Sequence, residues 1–232
     1  MNELTAVVIG ATGLTGNLVV EELLKDDAFK TVRVLARRKL SKVHEKLQQE
    51  IVNFNDLDDY SKKIGEGGII FCCIGTTQKK VKGDKALYEK IDFNIPVNAA
   101  TIGVSKGFKR FLIVSSIGAN ENSSNFYLKL KGKTENTLKQ FPFDCLAIFQ
   151  PSFLNGNRKE NRFGESIFQT IFDLLSFLLL GPLEKFRAIG ANNLAKAMVY
   201  ESKQKDNGVH YFRYSEIMNM AREQDNFTSE LI

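Results

Sequence analysis

The sequence predicts an α/β fold, a doubly wound and mainly parallel sheet of Rossmann-like type, and three observations predict it. Short apolar, β-branched runs alternate with helical patterns along most of the chain. These runs are apolar throughout rather than at every second residue, as expected of strands covered on both faces. The first run, Ala6–Ile9, leads straight into Gly10-Ala11-Thr12-Gly13-Leu14-Thr15-Gly16, a glycine-rich turn that opens a helical pattern. Repeated strand–helix–strand order calls for crossover connections, which favour parallel pairing.

Taken in order, strands are expected at Ala6–Ile9, Thr31–Ala36, Ile51–Phe54, Ile69–Ile74, Arg110–Ser115 and Cys145–Gln150. Helices are expected between them at Thr15–Leu24, Leu57–Ile64, Ala86–Ser105 and Phe126–Gln140. Pro96 falls inside the third helix, which should therefore bend there or begin late. The pattern changes after Pro151. A polar stretch over Asn155–Arg162 precedes an apolar helix reaching Leu180, the turn Gly181-Pro182, a helix near Ala191–Glu201, a short strand near Val209–Phe212 and a helix from Ser215 to Arg222. Residues 151–232 are too few for an independent unit. They are expected to pack over the substrate edge of a single domain spanning residues 1–232.

Length and composition agree with one globular domain: 232 residues, 43% hydrophobic and 25% charged, leave enough apolar chain for a sizeable core. The net charge of +5 is mild. Lysines 79, 80, 82, 85 and 90 are interspersed with Asp84 and Glu89, without interleaved aromatic residues, and read as a solvated face rather than a nucleic-acid site. Cys72 and Cys73 are neighbours in an apolar strand and point to opposite faces, so they suit neither a mutual disulfide nor a shared metal. With only two histidines and one further cysteine, Cys145, no metal site is expected. The start of the chain lacks the features of a secretory signal, and a cytoplasmic location is expected. Ser166–Leu180 is short for a membrane span, contains Gln169 and Asp173, and reads as a buried or interface helix compatible with a homodimer.

The glycine turn is the strongest chemical signal. Gly10 permits a tight turn, Gly13 lets backbone approach a pyrophosphate, and Gly16 lets the helix pack close to the strand. The amides of Thr12, Leu14 and Thr15 then join a helix N-terminus that favours phosphate. The second strand ends in Arg37-Arg38, where NAD-binding folds commonly carry an acid for the ribose 2′-hydroxyl. Guanidinium groups suit a 2′-phosphate instead, so NADP is favoured over NAD. Asp56 follows the third strand, where it can bond an adenine amino group or cap the next helix. The small residues of Cys73-Ile74-Gly75 would let backbone lie against the cofactor.

Ser115 and Ser116 end the fifth strand, and Tyr127 and Lys131 follow on a helix, four residues apart and hence on one face. An ammonium beside a phenol favours its ionised form, which fits tyrosine for proton transfer near neutral pH. A serine hydroxyl nearby can orient a carbonyl or alcohol.

With these pieces in order, the chain resembles the short-chain dehydrogenase/reductase superfamily in its atypical or extended branch. Ser115-Ser116-Ile117-Gly118-Ala119, Ser123-Ser124-Asn125-Phe126-Tyr127, Lys131-Gly132-Lys133-Thr134-Glu135 and Gln150-Pro151-Ser152 are similar to the Tat-interacting oxidoreductase-like proteins. The resemblance implies Tyr127 as general acid/base, Lys131 as holder of the nicotinamide ribose, Ser115 or Ser116 as the carbonyl-orienting group and Pro151 beside the cofactor. It implies hydride transfer between NADPH and a small carbonyl or alcohol. The alternative is a cofactor-sensing or partner-binding module of the same fold with little turnover. A nucleotide-sugar epimerase is disfavoured, because such enzymes devote more chain to the sugar nucleotide. One departure stands out: Gln150 occupies the position before the proline where related sequences often carry arginine.

Overall fold

The computed structural model describes residues 4–152, 154–155 and 187–229. Seven strands form one sheet with every neighbouring pair parallel: β1 (Leu4–Ile9), β2 (Phe29–Ala36), β3 (Leu47–Ile51), β4 (Ile69–Cys72), β5 (Arg110–Val114), β6 (Cys145–Phe149) and, from the C-terminal segment, β9 (Gly208–Phe212). Their spatial order is β3-β2-β1-β4-β5-β6-β9. The winding reverses at β1, which lies between β2 and β4. A crevice for a ligand is therefore expected at the carboxyl end of β1.

Each strand sends alternate side chains to opposite faces. Ala6, Val8, Phe71, Leu112, Ala147 and Phe149 enter one core; Val7, Ile9, Ile70, Phe111, Ile113 and Ile148 enter the other. The first core is closed by α1 (Leu14–Lys25), through Val19, Val20 and Leu23, and by α6 (Ala191–Ser202), through Leu194, Ala195 and Met198. The second is closed by α2 (Leu57–Ile64), α4 (Ile95–Ser105) and the end of α5 (Phe126–Leu138). Burial of each large aliphatic side chain contributes about 1.5–3 kcal/mol.

The third strand departs from its expected place. It occupies Leu47–Ile51 rather than Ile51–Phe54. As the sheet's edge it carries polar residues: Gln48 accepts from Arg33 at 2.8 and 3.2 Å, and Gln49 bridges Leu40 N and Lys42 O. Val52 and Phe54, whose apolar character suggested a strand, pack into the core from the loop beyond it.

The expected helix at Ala86–Ser105 is broken into α3 (Lys85–Glu89), a π turn over Lys90–Asn94, and α4. Pro96 is the physical reason. It has no N–H for the carbonyl of Asp92, four residues earlier, and its ring crowds that position. The Thr134 hydroxyl comes within 3.3 Å of that carbonyl, while its shorter contact, 2.9 Å, is to Leu130 O on its own helix.

The described part of the C-terminal segment completes the core. It supplies β9, α6 and α7 (Tyr214–Ser229), which extends beyond the expected Ser215–Arg222. Asp26 at the end of α1 pairs with Lys203 at 2.5 Å and lies 3.5 Å from the Gln224 amide. A separate two-stranded parallel pair joins β7 (Leu154–Asn155) to β8 (Ile189–Gly190). Residues 156–186, which include most of the polar stretch, the apolar helix and the Gly181-Pro182 turn, lie outside the described residues. Among the described residues, no helix is long and apolar enough to cross a membrane.

Candidate active site

Gly10 leaves β1 with φ +88°, and a Cβ there would lie 2.7–2.8 Å from the backbone of Cys73 and Ile74. The turn closes when the Gly13 N–H donates to Gly10 O at 2.9 Å. Gly13 is the N-cap of α1, with no capping side chain and no acid in the first turn. A Cβ on Gly16 would run into the Gly10 carbonyl, so helix and turn touch through backbone alone. Thr12 and Gly13 are exposed, Leu14 is half-buried, and Thr15 is buried. The cradle thus has the two properties a diphosphate needs: helix amides without a capping side chain, and no side chain or carboxylate to repel it.

Neighbouring strands place the other candidates around this turn. Ile9 is level with Leu35 of β2 and Cys72 of β4, so Arg37 and Cys73 both lie just past the sheet's carboxyl edge. Arg37 and Arg38 are exposed and make no ion pair with any described residue. The Cys73 N–H donates to Ile9 O at 2.9 Å, which continues the sheet before the chain passes through Ile74 and Gly75. Burial pushes the Cys72 thiol up to about 12 and raises that of Cys73 as well, so both are neutral walls rather than nucleophiles. Asp56 is a helix cap: its Oδ1 accepts from the N–H groups of Asp58 at 3.0 Å and Asp59 at 3.1 Å.

The second half of the site is built by α5 lying across the end of β5. Asn125 caps this helix by accepting from Leu128 N. Gly132 lets it press on the backbone of Asn120 and Glu121, where any Cβ would overlap. Tyr127, Lys131 and Glu135 are spaced by four and form one stripe. Tyr127 is half-buried, its ring edge-on to Tyr88 at 6.5 Å. Lys131 is 4% exposed, and its ammonium donates to Val114 O at 3.4 Å, immediately before the two serines.

The two serines differ. The Ser115 hydroxyl donates to Glu135 Oε1, whereas the Ser116 hydroxyl contacts its neighbour's carbonyl, Ile117 O, at 3.3 Å. Pro151 is buried, and its carbonyl accepts from Ile117 N at 3.0 Å, tying the end of β6 to the serine turn.

Several groups here were not singled out from the sequence. Glu135 accepts from the Gln150 amide at 3.1 Å on both oxygens, and Gln150 Oε1 accepts from Arg213 Nε at 3.3 Å. The Gln150 departure thus places an amide between carboxylate and guanidinium. Burial raises the Glu135 carboxyl above the ordinary range, opposed by the bonds from Ser115 and Gln150. Extending the Tyr127–Lys131 spacing by one turn points to Glu135. Asp92, whose Oδ2 lies 3.3 Å from Lys131 Nζ, has no comparable sequence signal.

The family described as NAD(P)H-binding matches residues 10–166. The chain is 33% identical to Protein HTATIP2 of Rattus norvegicus over 178 residues, 75% of this chain and 73% of that protein. It is 30% identical to the mitochondrial Protein FMP52 of Candida albicans over 210 residues, 88% of this chain and 90% of that protein. Among solved structures, it is similar to UDP-glucose 4-epimerase of Thermotoga maritima with UDP-glucose, with a TM-score of 0.65 and 14% identity over 95% of this chain and 82% of that one. The UDP-glucose 4-epimerase of Thermus thermophilus in complex with NAD gives 0.66 and 15%, over 97% and 84%. At that identity the likeness to the epimerases is one of fold.

Proposed function

The chain belongs to the NAD(P)H-binding family of atypical short-chain dehydrogenase/reductase type, with HTATIP2 and FMP52 among its relatives, and we propose that it is an NADPH-dependent oxidoreductase acting on a small carbonyl or alcohol. The observation that carries this reading is the buried Lys131, whose ammonium donates to Val114 O immediately before the two serines, one helical turn from the half-buried Tyr127. A module that only senses a cofactor has no use for a lysine withdrawn from water behind a half-buried phenol.

In this reading the uncapped N-terminus of α1, from Gly10 through Thr12, Gly13, Leu14 and Thr15 to Gly16, holds the diphosphate. Arg37 and Arg38 face the 2′-phosphate, which favours NADP over NAD. Asp56 stands at the adenine end, and Cys73, Ile74, Gly75 and Pro151 line the cofactor. NADPH, when bound, supplies the hydride. Tyr127 gives a proton to the substrate oxygen in reduction and accepts one in oxidation. Lys131 bonds the nicotinamide ribose. Ser116 orients the substrate oxygen, because the Ser115 hydroxyl is already committed to Glu135. The described part of residues 151–232 completes the sheet and core, so the substrate is placed at the edge beside Pro151; a homodimer is allowed, and the location is cytoplasmic. The mitochondrial designation of FMP52 supplies the alternative location that fractionation of a tagged protein would separate.

The test is oxidation of NADPH across a panel of small aldehydes and ketones, followed by Tyr127→Phe. Turnover should fall at least about a hundredfold, the lower end for loss of a general acid, with NADPH affinity nearly unchanged. Wild-type protein that binds NADPH yet reduces nothing points to the sensing module, and undiminished turnover in Tyr127→Phe removes the phenol from the chemistry.

A further inference from the structure

We propose that Asp92 is a positioning residue for the nicotinamide end of the cofactor, acting by setting the place of the Lys131 ammonium. This rests on the reading of Lys131 given above.

Asp92 is 1% exposed and Lys131 is 4% exposed, with Nζ and Oδ2 separated by 3.3 Å. Withdrawing both charges from water costs several kcal/mol per ion by general experience, and a matched apolar pair is often as stable. Stability alone is therefore a poor reason for this pair. Its surroundings suggest a better one.

The other carboxylate oxygen of Asp92 accepts from Thr76 N at 2.8 Å. Thr76 belongs to the loop after β4, whose start packs against the phosphate turn. The Thr76 carbonyl in turn accepts from the Tyr88 hydroxyl at 3.0 Å, and the Tyr88 ring stands edge-on to Tyr127. The Asp92 carbonyl, in the π turn before Pro96, lies 3.3 Å from the Thr134 hydroxyl on α5. Single π turns inside α-helices recur at functional sites because they re-aim side chains. One carboxylate thus ties the cofactor-side loop, the broken helix and the Tyr127–Lys131 stripe into a single unit. Its charge lies 3.3 Å from the buried ammonium, where it holds the ammonium in place against swinging outward.

The experiment compares two ligands on purified full-length protein. NADPH spans the whole site, whereas 2′,5′-ADP contains the adenine half and no nicotinamide ribose. Asp92→Asn keeps an oxygen for Thr76 N–H and removes the charge. It should weaken NADPH about tenfold, the size of one charge-assisted hydrogen bond, and change 2′,5′-ADP less than about twofold. Lys131→Met should show the same contrast. The double variant should bind NADPH no more weakly than Lys131→Met alone, since Asp92 acts through that lysine. If Asp92→Asn fails to fold because the buried ammonium has lost this carboxylate, the double variant carries no such charge and still makes the comparison with Lys131→Met. Unchanged NADPH affinity in Asp92→Asn, equal weakening of both ligands, or a further loss in the double variant would each overturn the assignment. Wild-type protein that binds neither ligand would overturn the proposed function itself, and this inference with it.

Discussion

Replacing Gly10 by alanine asks the phosphate turn to accept two burdens that other glycines of the same chain carry separately. Gly10 has φ +88°, and its added methyl would meet three backbone atoms of Cys73 and Ile74 at 2.7–2.8 Å. A left-handed backbone costs an L-residue about 1–2 kcal/mol, and overpacking in a close-packed region about 1–3 kcal/mol. No rotamer change can relieve a contact with backbone, so Gly10→Ala should cost about 2–5 kcal/mol in all. Gly107 has φ +78° with nothing within 4 Å of its Cβ position, and Gly107→Ala isolates the conformational part at about 1–2 kcal/mol. Gly16 lies in α1 with its Cβ position against Gly10 and Ala11 Cα, and isolates the overlap. Alanine's helix propensity returns roughly 1 kcal/mol there. In a chain of this size each kcal/mol moves Tm by about 2–4 °C, so thermal or urea unfolding resolves the three. NADPH titration should show losses for Gly10→Ala and Gly16→Ala and none for Gly107→Ala. A Gly10→Ala protein no less stable than Gly107→Ala would refute the close approach of the two loops.

Arg37→Asp should erase or invert the preference for NADPH over NADH in paired titrations, because it places a carboxylate where a 2′-phosphate would sit; equal affinities in the wild type would already remove the 2′-phosphate argument. Arg110 bonds Glu201 side chain and carbonyl and the Asp206 carbonyl, so Arg110→Met leaves a buried carboxylate unpaired and should lose about 3–5 kcal/mol by urea unfolding. A loss under about 1 kcal/mol would show that water reaches Glu201. Glu135 is raised by burial, so above the ordinary carboxyl pKa near 4.5 the folded chain holds a proton that the unfolded chain has released. Its contribution to stability is therefore present at lower pH and lost as pH climbs through the folded value. The difference in stability between wild type and Glu135→Gln should move in favour of the variant across that interval, and a difference that moves the other way would overturn the sign.

What was legible beforehand divides along physical lines. The glycine turn and the Tyr127–Lys131 pair are local in sequence, and each demands residue types that few other structures require. The strands of the sheet centre could be read because burial on both faces leaves an uninterrupted apolar run. β3 could not, since an edge strand has one wet side and its polar residues Gln48 and Gln49 bond across to Arg33, Leu40 and Lys42. Asp92 and Arg213 were hidden for a different reason. Their partners lie 39 and 63 residues away, at Lys131 and Gln150, and no short-range spacing announces such a meeting. The break at Pro96 was half-visible: the ring signals an interruption, while the π geometry over Lys90–Asn94 has no signal in the local sequence.

The apolar side of α1 is covered by α6, whose residues leave the ribosome some 170 positions later than Val19 and Val20, the valines beside it in the folded core. During synthesis the dinucleotide turn and its helix are thus made early, and the part of the helix that α6 covers stays open until residues 191–202 emerge. Parallel β9 is likewise the last strand of the main sheet to arrive, closing its far margin. Such long-range closure slows folding and lengthens the interval in which nascent chains adhere to one another. Shortening the chain from the rear should therefore expose this flank for good and harm the half that grips the nucleotide.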